Sequence, residues 1–171
     1  SAQVSGIVRD RRGALWFASN QGLFRYARET LRQFGVADGL RDPRARLIYE
    51  TRDGRMLLGT QTGLYEVIGD RLELLGLDTG LRDNLDVTAI HEMADGKLVI
   101  GTLSEEVFLF DGERWVTFKG EQGMPVNSPF FITEDGRGFL WVAGIRGVLR
   151  VPVADMLEVA AGKRTVVRGE M

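Results

Sequence analysis

Few side chains in this 171-residue sequence could do chemistry, and they set the first limits on function. There is no cysteine, which excludes disulfides, thiolate metal sites and cysteine nucleophiles. The single histidine, His91, cannot make a two-histidine zinc site, and a Ser-His-Asp arrangement would have to be built around it alone. Two roles are open to His91: a strand histidine paired with a neighbour, or a ligand-contacting, pH-sensing residue, since imidazole titrates near neutrality. Glu92 and Glu134 could do glycosidase chemistry if they flanked a sugar cleft roughly 5–10 Å apart. Asp10, Asp53, Asp95 and Asp135 lie at turns, yet no Asp-x-Asp-x-Asp-Gly loop with a distal Glu surrounds them, so they read as turn makers and not calcium ligands. Trp16 and Trp141 could stack on a sugar, but they align with Leu57 and Val99 in an apolar run and read as core. The residues call for no metal and no cofactor.

Charge and composition exclude further classes. Twenty-two Lys and Arg stand against 24 Asp and Glu, a net charge of −2, so nothing points to nucleic acid or an anionic membrane. With 44% hydrophobic and 27% charged residues the chain has ordinary globular composition. No stretch approaches the ~20 apolar residues of a membrane span, and the first residues lack the pattern of a signal peptide.

The elements that must hold these residues repeat. Gly13, Gly54, Gly96 and Gly138 are 41, 42 and 42 residues apart, and each precedes an apolar run, such as Leu15-Trp16-Phe17-Ala18 or Leu140-Trp141-Val142-Ala143. Ile7, Ile48, Ile90 and Ile132 mark an apolar element before each glycine, and two more elements follow. Runs of four to six residues bounded by Gly, Asp and Asn predict strands, and Asp53-Gly54 and Asp95-Gly96 predict hairpin turns. Leu15-Trp16-Phe17 and Leu140-Trp141-Val142, apolar at successive positions in the second strand, predict burial on both faces, which a propeller blade offers and a two-layer sandwich does not. The expected fold is all-β: four four-stranded antiparallel β-propeller blades, over about 3–43, 44–85, 86–127 and 128–171, in a single domain that is a fragment of a larger propeller. An open stack of four would leave two apolar end faces uncovered. Residues 154–162 predict a short helix ending at Gly162 with Asp155 helping to cap its start, and Thr165-Val166-Val167-Arg168 predicts the last blade's fourth strand.

The repeats share an apolar strand, Asp-x-x-Gly or Asp-Gly, an apolar or Trp strand, Gly/Ala-Ser/Thr-x-x-Gly-Leu, another apolar strand, and Asp-Gly-Leu with a nearby Asp or Asn. Segments carrying this include Val8-Arg9-Asp10 through Gly22-Leu23-Phe24-Arg25, Asp38-Gly39-Leu40, Thr79-Gly80-Leu81-Arg82-Asp83-Asn84 and Gln122-Gly123-Met124-Pro125-Val126-Asn127. The pattern resembles the two-component regulator propeller repeat of bacterial hybrid histidine kinases and diguanylate cyclases, over about 150 residues. In the third copy Ser104-Glu105-Glu106 replaces the turn glycine and adds a residue. The resemblance implies a periplasmic, non-catalytic sensor of a small-molecule or glycan signal, covalently linked to an output domain in its parent protein. A homodimer through the end blades is one partner this reading allows.

If strands run outward from a propeller axis, first-strand residues line the channel: Val8, Tyr49, His91 and Thr133, then Arg9, Glu50, Glu92 and Glu134. The turns between second and third strands (Asn20, Gln21, Gln61, Thr62, Glu105, Glu106, Arg146) and the links between repeats (Arg41, Asp42, Arg82, Asp83, Asn84, Asn127) should share one face as a polar rim. The candidate ligand-binding set is therefore Tyr49, His91, Glu92, Asn20, Gln61, Arg82, Asn84 and Arg146. An enzymatic propeller of lyase or glycosidase type, and a purely structural docking propeller, are the competing functions.

Overall fold

The computed structural model describes residues 1–171, which form two compact units: Ser1–Asp78 with Arg82–Val87, and Thr79–Leu81 with Thr88–Met171. In the first unit β1 (Val4–Arg9), β2 (Leu15–Ser19), β3 (Gly22–Ala27) and β4 (Thr30–Phe34) make one antiparallel sheet in chain order. A second sheet follows with β5 (Ala45–Glu50), β6 (Met56–Thr60), β7 (Gly63–Ile68) and β8 (Arg71–Leu74). The second unit contains the sheet of β9 (Val87–Glu92), β10 (Leu98–Thr102), β11 (Val107–Phe110) and β12 (Trp115–Phe118), although Val87 itself groups with the first unit. It also contains the three-stranded sheet of β13 (Phe131–Glu134), β14 (Phe139–Gly144) and β15 (Gly147–Pro152), followed by helix α1 (Val153–Ala160).

Strand register decides which side chains share a face, because residues directly opposite one another point the same way. Val8, Trp16 and Arg25 are aligned across β1, β2 and β3, as are Ala18, Leu23 and Phe34 across β2, β3 and β4. This face packs on Ile48, Met56, Leu58, Tyr65 and Leu72 of the second sheet. In the second unit Val99, Val107, Leu109, Ile132, Leu140, Val142 and Leu149 form the core with Met156 of α1. The two middle sheets meet the expectation of two-faced burial: every residue of β6 and β10 is buried. In β2 and β14, the strands whose runs carried that expectation, burial instead alternates, because one face of each of their sheets is uncovered. Trp16 is core, 4% exposed, whereas Trp141, expected to be core, is only half-buried because its face of the β13–β15 sheet is uncovered. The small residues ending the second strands mark close approach: a Cβ on Gly59 would come 2.5 Å from the Leu47 side chain, and one on Gly101 2.6 Å from Pro129.

The turn aspartates act as expected. Asp10 Oδ1 accepts N–H groups of Arg12 and Ala14 at 2.9 Å, and Oδ2 accepts the Trp16 indole N–H at 2.8 Å. Asp135 repeats the arrangement with Arg137, Phe139 and the Trp141 indole, whose N–H foremost holds the carboxyl below its usual range. Asp53 accepts the Thr51 hydroxyl, and Asp95 accepts Lys97 N–H at 3.1 Å and its ammonium at 2.6 Å.

The Asp-Gly-Leu position has a different cause. Gly39, φ 120°, places its α-carbon where a Cβ would lie 2.2 Å from the Leu72 carbonyl oxygen of β8, and Gly123, φ 78°, does the same against Val167. Positive φ and a backbone contact together admit only glycine.

Val167 N–H donates to the Gln122 carbonyl at 2.8 Å just as Trp115 N–H donates to Thr79 at 2.7 Å, so the tail docks where a fourth strand belongs. Thr165–Arg168 is nevertheless not a strand, and only Arg150 and Glu170 bridge to β15. The reason is Asp155. It does not cap α1; its carboxylate, 2% exposed, binds Arg164 at 2.7 Å and the N–H, Nε and Nη2 of Arg168 at 3.0, 2.9 and 2.8 Å, drawing the tail toward the helix. Helix α1 ends as expected, with Gly162 at φ 72°, Lys163 N–H on the Glu158 carbonyl and Gly162 N–H on Val159.

Two outcomes follow. Gly13, φ 88°, has open space around its missing Cβ, so Gly13→Ala should cost about 1 kcal/mol of backbone strain, while Gly123→Ala should cost at least about 2 kcal/mol more; equal losses in melting temperature would refute the contact. The Asp155 carboxyl is held down to about 2, chiefly by the Arg168 side chain. Its folded value lies below the ordinary one, so its stabilisation is present above about pH 4 and is lost as pH falls toward 2. Asp155→Asn should destabilise by roughly 2 kcal/mol at pH 7, with the difference closing in acid melts.

Candidate functional site

Each unit carries polar residues where a second-to-third-strand turn meets the chain segment entering a repeat. In the first unit Gln3 N–H donates to Asn20 Oδ1 at 2.8 Å, Asn20 N–H donates back to Gln3, and Gln61 N–H donates to Arg44 at 3.1 Å. Ser19 and Thr60 hydroxyls close these turns on the Gly22 and Gly63 carbonyls at 3.1 and 2.9 Å. Buried Tyr65 supports the rim from beneath: its hydroxyl accepts Arg41 N–H at 3.2 Å and lies 3.3 Å from Thr62 Oγ1.

Three rim arginines of the first unit are paired. Arg44 makes two bonds of 2.8 Å to Asp42, Arg41 pairs with Asp83, and Arg46 grips both oxygens of Asp86. Arg44's side chain, then its N–H, holds the Asp42 carboxyl down to about 2, and the Asp86 hydrogen bond raises the Arg46 guanidinium. Arginines so neutralised attract free anions weakly, and the surface that remains is a set of hydrogen-bond donors and acceptors.

In the second unit the non-glycine turn is closed differently. Thr102 N–H reaches the Glu106 carbonyl at 3.2 Å, Ser104 Oγ bonds Thr102 Oγ1 at 2.7 Å, and the nearly buried Glu106 carboxylate pairs with Lys119 at 3.0 Å. Asn127 Nδ2 donates to Glu105 at 3.2 Å, joining the turn to the repeat link. Arg146 lies beside a small hollow of about 10 Å³ with Asn127, Leu149 and Met171, room for about one water and far below an ordinary ligand pocket.

The expected site residues are therefore distributed. Asn20, Gln61, Arg82 and Asn84 belong to the first unit, Asn84 with φ 54° and its N–H on Asp83. Tyr49 is half-buried on β5, His91 and Glu92 are half-buried on β9, and Arg146 is exposed on the β14–β15 turn. His91 Nε2 is 3.2 Å from Glu134 Oε2, and the same oxygen accepts Ala94 N–H at 2.7 Å. Glu50 does the equivalent in the first unit, accepting Arg11 N–H at 3.1 Å and its Nε at 2.8 Å. At this strand end the carboxylate is a latch onto the turn of the preceding sheet. Arg46, Asp86 and Tyr65 match no motif; the signal that reveals the first two is opposite charge 40 residues apart, close to one repeat.

No protein-family model matches the chain, and no curated protein does. Among solved structures it is similar to the extracellular domain of a Bacteroides thetaiotaomicron protein classed as a hybrid two-component system, with TM-score 0.77 and 21% identity over 92% of this chain and 22% of that one. It is similar to virginiamycin B lyase of Staphylococcus aureus, TM-score 0.69 and 12% identity over 88% and 53%, and to the WD40 β-propeller domain of Doa1, TM-score 0.67 and 15% identity over 86% and 50%. The sheets are propeller blades. At these identities the likeness establishes the fold, and the chain spans under a quarter of the length of the two-component domain.

The latch and the rim pairs should separate on mutation. Glu134→Ala should lower stability by roughly 1–3 kcal/mol, read from the urea midpoint, because the Ala94 N–H loses its charged acceptor. Asp42→Ala should scarcely move that midpoint; the reverse order would show that the latch carries no load.

Proposed function

We propose that this chain is the sensing module of a bacterial membrane-bound signalling receptor of the hybrid histidine kinase or diguanylate cyclase kind, lying in the periplasm and binding a small polar molecule or glycan without transforming it. The observation that carries this reading is the neutralised rim: in the first unit Arg41, Arg44 and Arg46 are each tied to an aspartate, leaving a hydrogen-bonding surface suited to a polyhydroxyl ligand. The likeness in fold to an extracellular two-component domain supports it. Tyr49, His91, Glu92, Asn20, Gln61, Arg82, Asn84 and Arg146 are the proposed contacts, and the signal is passed to an output domain of the same polypeptide.

A lyase reading has one observation behind it, the likeness to the S. aureus enzyme, of which a histidine-to-alanine variant is catalytically inactive. Here the single histidine faces Glu134 with its side chain 17% exposed.

A thermal-shift screen of glycans and neutral polar metabolites tests the sensing reading. A bound ligand at 100 times its Kd should add about 2.7 kcal/mol of stability. The shift should shrink in Gln61→Ala or Arg146→Ala, and the ligand should be recovered chemically unchanged. Turnover of the ligand, abolished by His91→Ala, would overturn the proposal in favour of the enzyme.

A further inference from the structure

The two sheets of the first unit define how one blade covers the next. The back face of the β1–β4 blade (Val8, Trp16, Ala18, Leu23, Arg25) lies on the front face of the β5–β8 blade (Ile48, Met56, Leu58, Tyr65, Leu72), and there Trp16 is 4% and Leu23 0% exposed. Arg25 stacks 5.6 Å from the Trp16 ring within this layer.

Two further faces have this chemistry and no cover. Shifting the front-face set back by one 41-residue repeat gives Ile7, Leu15, Phe17, Phe24 and Leu31, which are aligned on the other face of the β1–β4 blade. Ile7 is 61% and Leu31 60% exposed. Shifting the back-face set forward by 125 residues gives Thr133, Trp141, Ala143, Val148 and Arg150, aligned across β13, β14 and β15. Val148 is 50% exposed, where Leu23 is wholly buried, and Phe131 on the same face is 60% exposed. Arg150 stacks 5.9 Å from the Trp141 ring and the indole N–H binds Asp135, repeating in the open the Asp10-Trp16-Arg25 group, whose tryptophan is buried.

The chain thus bears one uncovered front face and one uncovered back face of the same interface. We infer that the occupant of each is a second copy of this chain, joined head to tail, with the Ile7–Phe17–Leu31 face of one copy on the Trp141–Val148 face of another. Such a contact is heterologous, giving a ring if the rotation closes and a filament if it does not.

Light scattering of the 171-residue chain over about 1 to 100 μM tests this, in the range open to a standard-size interface. Mass should rise above the 19.0 kDa of one chain as concentration increases. Ile7→Glu and, separately, Val148→Glu should each weaken association at least about tenfold, with circular dichroism and melting confirming a folded chain. Mixing the two variants should restore association to a dimer and no further, since each retains the face the other has lost. A chain that stays monomeric throughout, variants that still self-associate, or a mixture that stays monomeric would each overturn the inference.

Discussion

Burial of apolar surface on both sides of a thin sheet is the constraint on which the structure depends. Leu57 and Leu58 are adjacent in β6, so they point to opposite faces, and both are completely buried. At about 25 cal/mol per Å² of apolar area, two such faces favour cover by further sheets far more strongly than any single hydrogen bond in the turns. Gly59 and Gly101, each one residue before its strand's end, let neighbouring groups approach to distances at which no Cβ fits.

Direction is then supplied by contacts spaced about one repeat apart. Glu50 and Glu134 reach the turn of the preceding blade, Gly39 and Gly123 admit the backbone of the following fourth strand or tail, and Arg46 meets Asp86. These groups lie at strand ends because the strand interiors are apolar, so polar chemistry collects on turns and links. The same pairing that orders the links of the first unit neutralises Arg41, Arg44 and Arg46.

The tail shows how a buried charge redirects a chain. Val167 takes the site of a fourth-strand residue, yet the four bonds that Asp155 accepts from Arg164 and Arg168 hold the segment to α1, and a single bridge to β15 remains. A carboxylate only 2% exposed must be satisfied before strand pairing can be extended.

Repeat length, strand content and turn aspartates were legible in the sequence, because glycine spacing and short apolar runs are local and periodic signals, whereas the successive apolar residues of β2 and β14 did not foretell that one face of each would lie open. The polar turns were legible as a class for the same reason. What the tertiary structure alone decided is which partner each side chain meets: that Asp155 binds the tail and does not cap α1, that His91 faces Glu134, and that Trp141 is half-open while its repeat equivalent Trp16 is core. The two tryptophans occupy the same place in nearly the same motif, and what separates them is whether another sheet lies on top, a fact that resides in neighbouring chain segments and not in the residue or its local pattern.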